Sequence, residues 1–585
     1  MRMRYELIGL SMDYSRRRST TVNPLQGVLA LLVVAAIAVA TAWSMVPPDP
    51  LGSDAWPDAF SAERALTDIS AMVAVGPHPT GSEALEQVRE YLIQRLKDIG
   101  YSPHVQYEWV RPRIRGNESG RRAESVLVHN ILARLDSGKT GPALMVTAHY
   151  DSVPYGPGAM DDAAGVAVVL QIAEALYGAD IQNPIIFHLS DGEELGLLGA
   201  EAFVAYHPWA EDVEMVINLE SRGTSGLGLM FETGEGNKEL VRLLGQMVQR
   251  PVGSSTFYSL YKQLPNDTDF TVYKQAGKVG MNFANIGTPR NYHTANDNLE
   301  NLDPRTLQHL GDTVMSLVKG LANADMESLK SDSDSVFFDL FSRWLVHYPE
   351  GFVLPLAALA LVISLFALSR VGLLQRERPV LSLVVGSIGF LVSAAAALVV
   401  GLGAIALIRL VLPEARATGF LEHHVPAAAA VVSAMAAGAL AALAGMMHVS
   451  GLAGLWGGAL VWWNAAVIAS AIFLPGVTYL FVFPVIACAA GLAVLSIVGP
   501  SSGWSYFAAL LPGIALTSVL WLPYAGLLTL MGGPLTPFPV VPVVLVASVA
   551  GPMLVGQRGV IRWIPAVALG LVSVVCVALT YFQSV

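Results

Sequence analysis

Between Met145 and Gly199 the sequence sets His149-Tyr150-Asp151, then Gly158-Ala159-Met160-Asp161-Asp162, then Asp191-Gly192-Glu193-Glu194, each at or just beyond the end of an apolar run. Imidazoles and carboxylates at strand ends are the donors that metal-assisted hydrolysis needs: a cation acidifies a water and polarises a carbonyl, and a nearby carboxylate takes the proton. Two further candidates lie downstream, Glu220 after the run Glu214–Leu219 and His293 within Pro289-Arg290-Asn291-Tyr292-His293-Thr294. The two cysteines, Cys488 and Cys576, lie inside apolar runs, which excludes a disulfide framework and a thiolate nucleophile. Catalysis therefore falls to acid or metal chemistry.

Each motif also has a plainer reading. A single strand-end histidine is usually just a polar residue, and an acidic pair such as Glu193-Glu194 is usually a solvated turn. Their combination changes this. Residues two apart on an extended chain face the same way, so Asp151 is expected to accept the second ring N–H of His149 and fix its tautomer. Asp162 suits the N-cap of a helix starting near Ala163, which frees Asp161 to bridge two cations. Side chains of Glu193 and Glu194 diverge, so one can bind metal while the other reaches the water. Five candidate ligands result, His149, Asp161, Glu194, Glu220 and His293, with Glu193 unassigned to metal. Nitrogen and oxygen donors suit zinc, with manganese or cobalt as substitutes. Five ligands with a bridging carboxylate suit two ions about 3.5–4 Å apart.

The elements that position these groups alternate in type. Strand-like runs fall at Ser125–Leu135, Ala143–Ala148, Pro184–Leu189, Glu214–Leu219 and Lys278–Phe283. Helical patterns cover Ser82–Ile99, Ala163–Tyr177, Gly199–Ala205 and Lys238–Gln249. This alternation predicts an α/β fold, a β-sheet flanked by helices on both faces, with ligand sites at the carboxyl ends of the strands.

Outside this region the composition changes. Hydrophobic residues make up 53% of the 585-residue chain and charged residues only 14%, and most of the charge falls between Asp49 and Asp339. Leu25–Val46 is long enough to span a bilayer of about 30 Å, and it follows a basic segment with Arg2, Arg4, Arg16, Arg17 and Arg18. A cleaved signal peptide is the rival reading of that segment. From Gly351 onward, runs at Gly351–Leu368, Val380–Val411, Val425–Met447, Leu452–Leu474, Tyr479–Val498, Tyr506–Leu530, Phe538–Val555 and Ile561–Phe582 bring the expected spans to about nine. Basic loops with Arg370, Arg376 and Arg378 and with Arg558 and Arg562 belong inside, and the loop with Glu414, Glu422, His423 and His424 outside, although Arg416 lies there too. The expected layout is a cytoplasmic tail at 1–24, an anchor at 25–46, a catalytic domain at 47–345 facing away from the cytosol, and an all-α multi-span domain at 346–585. Few ionisable residues lie within the spans, which argues against a transporter. Net charge is -11 without a basic stripe, which argues against nucleic acid as a partner.

Taken together, His149-x-Asp151, Gly158-Ala159-x-Asp161-Asp162, Glu193-Glu194, Asn218-Leu219-Glu220 and Tyr292-His293-Thr294 resemble the co-catalytic two-zinc aminopeptidase family, which also includes glutamate carboxypeptidase and the glutaminyl cyclases. The layout, with Pro265-Asn266-Asp267-Thr268-Asp269-Phe270, is similar to the membrane-embedded branch of the endoplasmic reticulum metallopeptidase and the fungal vacuolar membrane protease. The likeness covers about Ala65 to Asn323, and only the architecture beyond it.

The resemblance implies the family's phosphorylase/hydrolase-like mixed sheet. It implies one zinc on His149 and Glu220, another on Glu194 and His293, Asp161 bridging them, Glu193 as general base, and a cis Asp161–Asp162 peptide. Asp151 would support catalysis from behind His149, and Tyr292 would hydrogen-bond the oxyanion or serve only as a packing aromatic. Arg222 and Arg290 are candidates for a substrate carboxylate, and Asp267 and Asp269 for capping a helix that orders the pocket. The expected activity is zinc-dependent hydrolysis at peptide ends, the amino end first, with peptide substrate and membrane lipid as partners. Rival readings are a single-zinc cyclase-like enzyme and a catalytically silent receptor or scaffold.

Overall fold

The computed structural model describes residues 24–112, 124–138, 141–264, 266–374, 378–412, 424–499, 503–532, 536–557 and 559–584. The basic tail before Pro24, Pro265, and the loop residues Arg376, Glu414, Arg416, Glu422, His423 and Arg558 lie outside them.

Seven strands form one sheet: β1 (His104–Val110), β2 (Val126–Leu135), β3 (Ala143–His149), β4 (Ile185–Ser190), β5 (Val213–Ser221), β6 (Leu229–Thr233) and β7 (Val279–Asn285), in the order β1-β2-β4-β3-β5-β7-β6. The central four, β4-β3-β5-β7, run parallel, and the outer strands pair antiparallel. Every residue of β3 and β4 is buried, as parallel strands covered on both faces require. Alternate residues feed two cores: Leu144, Val146 and Ile217 face one, and Met145, Val216 and Ile186 the other. From β3 the chain crosses to β4 on one side and later returns to β5 on the other. The crevice at such a reversal, outside the carboxyl ends of the strands, is where ligands bind in this class of sheet.

The helix Ala163–Leu176 crosses between β3 and β4 and is buried over most of its length, beneath Ala62–Val73 and Pro304–Leu321. Asp162 caps it, accepting the Gly165 amide at 3.2 Å. The expected strands and helices are present with shifts of a residue or two at their ends. Strands β1 and β6 and the helices Ala62–Val73 and Pro304–Leu321 were not expected. Nor was an antiparallel hairpin, β8 (Ser335–Leu340) with β9 (Trp344–Pro349), which runs across the expected junction at 345.

Beyond the hairpin the described residues are mainly helical. Seven helices among the described residues are long and apolar enough to cross a membrane. One of them, His424–Phe473, is broken at Gly451 (φ 62°, ψ 177°), between the two expected spans Val425–Met447 and Leu452–Leu474. Val540–Val555 is apolar but has only 16 residues. The helical part and the sheet part pack directly on each other. Phe338 of β8 stacks on Tyr479 with centroids 4.3 Å apart, Ser255 Oγ donates to the Gly476 carbonyl, and Arg250 caps the end of Pro24–Ser44 by donating to the Ser44 and Val46 carbonyls, both at 2.8 Å.

Candidate metal centre

Four parallel strands deliver the site. His149 is the last residue of β3, Glu193 and Glu194 follow β4, Glu220 lies near the end of β5, and His293 lies in the loop after β7. Asp161 enters from the loop before Ala163–Leu176, and its peptide bond to Asp162 is cis.

Asp161 lies between the two histidines, with Oδ1 3.5 Å from His149 Nε2 and Oδ2 3.3 Å from His293 Nε2. Glu220 Oε2 lies 3.9 Å from His149 Nε2, and Glu194 Oε1 lies 3.1 Å from His293 Nε2. Two triplets therefore share one carboxylate: His149, Asp161 and Glu220, and Asp161, Glu194 and His293, with ligand atoms within 4.8 Å of one another in each. Glu193 also comes within this range of His149 and Glu194.

Electrostatics sharpens the picture. Burial, and then the nearby Glu193 charge, push Glu220 well above the usual carboxylate range. Burial likewise lifts Glu194 to about 7, against the pull of His293. Asp161 goes the other way: burial opposes its ionisation, but contact with His149 and His293 draws it down to about 2. Burial disfavours a charged His293, yet Asp161 and Glu194 raise it to about 9. Carboxylates crowded this closely need cationic company to ionise together. Glu194 Oε1 and His293 Nε2 are buried atoms without a hydrogen bond of ordinary geometry among the described residues. Orphaned polar atoms, a shared carboxylate and an all-nitrogen-and-oxygen donor set fit a pair of zinc ions.

Asp151 departs from expectation. The acceptor for His149 Nδ1 is the Asp151 main-chain carbonyl at 3.0 Å, while the carboxylate stands 3.6 Å away. The reason is that β3 ends at His149, so the two-residue alternation stops there. The Asp151 carboxylate instead accepts the amides of Glu193 (3.1 Å) and Glu194 (3.3 Å) and the Thr80 hydroxyl (3.1 Å), which ties the glutamate turn to the histidine strand. That turn is further shaped by Gly192, whose φ of 78° a side chain would strain. Asp191 precedes it, accepting the His129 amide at 2.9 Å and donating its own to Asn130 Oδ1 at 3.1 Å.

Asp269 does not cap its helix. Thr268 holds the N-cap position, and the Asp269 carboxylate accepts the Ser190 hydroxyl beneath the site. Tyr292 stacks on His293 at a centroid distance of 3.7 Å, with the Arg222 guanidinium over the Tyr292 ring, 4.9 Å from its centroid. Arg222 and Arg290 are both exposed.

Sequence reasoning missed Asp297. Its carboxylate accepts the amides of Met160 (2.8 Å) and Asp161 (3.1 Å), and its main-chain carbonyl accepts that of Ala159 (3.1 Å), so the loop presenting Asp161 hangs on this residue. It lies in the Asn/Asp-rich turn Asn296–Asn298, whose composition signals only a turn. Groups that orient metal ligands typically contribute about 10–100-fold to metal affinity or activity, and Asp297→Ala is expected to weaken zinc binding in that range. Titration with a competing chelator measures it.

Residues 130–318 match the model of Peptidase family M28. A vacuolar membrane protease of Eremothecium gossypii is 32% identical over 286 residues, 46% of this chain and 28% of that protein. Endoplasmic reticulum metallopeptidase 1 of Rattus norvegicus is 29% identical over 310 residues, 50% of this chain and 34% of that protein. The matched region thus spans about a third of the length of these curated relatives. Among solved structures, a glutaminyl cyclase of Porphyromonas gingivalis is similar at 21% identity and a TM-score of 0.38, over 45% of this chain and 99% of that one. An aminopeptidase from Aneurinibacillus sp. strain AM-1 is similar at 18% identity and a TM-score of 0.38, over 46% of this chain and 95% of that one.

Proposed function

We propose, from the peptidase family M28 domain that residues 130–318 form, that this chain is a membrane-anchored zinc exopeptidase that hydrolyses the amino-terminal bond of peptides. The observation that carries the reading is Asp161 between His149 and His293, a carboxylate with one oxygen toward each imidazole. His149, Asp161 and Glu220 would hold one zinc, and Asp161, Glu194 and His293 the other. Bound there, zinc supplies the positive charge that acidifies a water and polarises a scissile carbonyl.

The remaining work falls to the chain. Glu193 takes the proton of the attacking water and passes it to the leaving amine. Burial, and next to it the charge of Glu194, raise its carboxyl well above the usual range, against the pull of His149. Asp151 holds the Glu193 amide and so fixes the base relative to His149. Tyr292, partly buried and stacked on His293, stays a neutral phenol because burial raises it further above its ordinary value. It is therefore available to donate to the developing oxyanion.

The membrane setting rests on the apolar helices and on relatives named as membrane proteins. We assign the N-terminus and the basic loops to the cytoplasmic side and residues 47–345 to the other, with 346–585 as the membrane domain. Purified full-length chain given free and amino-blocked peptides is expected to release amino-terminal residues from the free ones alone. Cleavage from the carboxyl end would overturn the end preference, and Arg222→Ala and Arg290→Ala would then test which arginine meets the carboxylate. Cyclisation of amino-terminal glutamine with no hydrolysis would favour the single-zinc reading, and no turnover with zinc bound would favour a silent receptor.

A further inference from the structure

A cavity of about 340 Å³ lies where the sheet part meets the helices, and nothing in the proposed hydrolysis uses it. Its volume is at the lower end of the roughly 300–1,000 Å³ of small-molecule sites. One wall is helical: Met45 just beyond Pro24–Ser44, and Leu520 and Pro523 from Gly503–Gly532. The opposite wall is Leu227, Ile286 and Phe338 from the sheet part. Both wall helices are apolar enough to cross a membrane, and they pack against each other.

The polar groups at its edge are mostly committed already. Ser225 and Thr288 hydroxyls bond each other at 2.7 Å, Ser254 bonds Tyr524 at 2.8 Å, and Tyr524 bonds Tyr479. Asp339 accepts the Gly253 and Ser342 amides, and the Ser44 hydroxyl donates to the Thr41 carbonyl. Thr41 Oγ1 is buried without a partner among the described residues. A peptide placed here would leave its N–H and C=O groups without partners, which is unfavourable. A hydrocarbon chain has no such groups, and its burial against these side chains is favourable.

We propose that this cavity binds one acyl chain of a membrane lipid, with the anchor Pro24–Ser44 and the helix Gly503–Gly532 forming its helical wall. The proposal rests on the membrane reading and not on the chemistry of the metal centre. It has a structural consequence. Ile286, Gly287 and Thr288 line the cavity and lead directly into Pro289–Asn291 and His293, with Thr288 at a left-handed φ of 54°. A chain lodged there bears on the loop that carries a candidate metal ligand.

The test uses the full-length protein in nanodiscs containing a phospholipid with a photoactivatable diazirine in its tail. After irradiation, adducts mapped by mass spectrometry are expected to concentrate at residues 338–342 and 519–524. They should fall several-fold in Leu520→Trp, which fills the cavity from one wall, while adducts at the exposed Val574 and Val575 persist. Leu227→Trp fills it from the other wall and should give the same loss if Leu520→Trp fails to fold. Labelling of the cavity segments no stronger than that of lipid-facing positions, or unchanged by both substitutions, would overturn the proposal. So would labelling of these segments by a photoactivatable apolar peptide but not by the lipid probe, which would make the occupant a polypeptide. A free diazirine fatty acid labelling them in place of the phospholipid would overturn the lipid source. None of these readouts requires turnover, so loss of the peptidase reading and loss of this one are separately visible.

Discussion

Glu193→Gln is expected to lower turnover by at least about 10²–10⁴-fold, the contribution of a well-placed general base, while leaving zinc content unchanged. The two triplets that share Asp161 contain His149, Glu220, Glu194 and His293, and neither contains Glu193. Gln keeps the shape of the side chain, and the Glu193 amide stays tied to Asp151 Oδ1 through the main chain, so the turn should keep its form. What Gln removes is a basic oxygen. The competing outcome is concrete, because Glu193 also comes within reach of His149 and Glu194. If the variant loses zinc in parallel with activity, Glu193 is a ligand and another group must be the base. Activity near wild type would remove the residue from the chemistry altogether. Metal content by elemental analysis, measured beside the rate on one free peptide, separates the three.

The parts of this site that were legible in the sequence share a local cause. His149 and Glu220 end or nearly end buried apolar strands, and the Glu193-Glu194 pair follows one, so an apolar run stopping at an acid or imidazole marks a strand end pointing at solvent or at a ligand. The same logic failed one step further on. Asp151 was placed by extending the strand alternation past the residue where β3 stops, and its carboxylate serves the glutamate turn instead. Asp297 could not be found this way, since its bonds to Met160 and Asp161 join segments far apart in the chain and leave no local trace.

The edge of the sheet was hidden for a different reason. In β1 the aromatic residues Tyr107 and Trp109 are exposed, while Gln106 is buried and bonded to Asn130 and to the Ala202 carbonyl. That inverts the usual apolar-inward pattern of a strand. In the helical half, long apolar helices stand where hydropathy placed apolar runs, and Gly451 marks the break within His424–Phe473. Hydropathy says nothing of how helices pack on a sheet domain, so the junction cavity had no signature in the sequence.

Removing the metal is expected to destabilise the protein, and increasingly so as the pH rises. Ligands that bind only the folded state contribute about 2.7 kcal/mol at a hundredfold excess over their dissociation constant, so chelation alone should lower the melting temperature. The pH dependence follows from the site. In the metal-free fold burial raises Glu194 from its ordinary 4.5 to about 7. The folded state then holds a proton that the unfolded chain has released, and stability falls as pH climbs through that interval. His293, at about 9 against an ordinary 6.5, continues the trend: its contribution is complete below about pH 6.5 and lost as pH rises toward 9. Asp161, drawn down to about 2, works in the opposite sense but only below its unfolded value, outside this window. Bound zinc replaces those protons, so the loaded protein should not follow the same slope. The gap in melting temperature between zinc-loaded and chelated protein should therefore widen steadily from about pH 5 to about pH 8. Asp161→Asn should regain little melting temperature on adding zinc, because it weakens the one carboxylate common to both triplets. A gap that stays constant or narrows over that range would mean that His293 and Glu194 do not exchange protons for metal, and the assignment of the second zinc would fall with it.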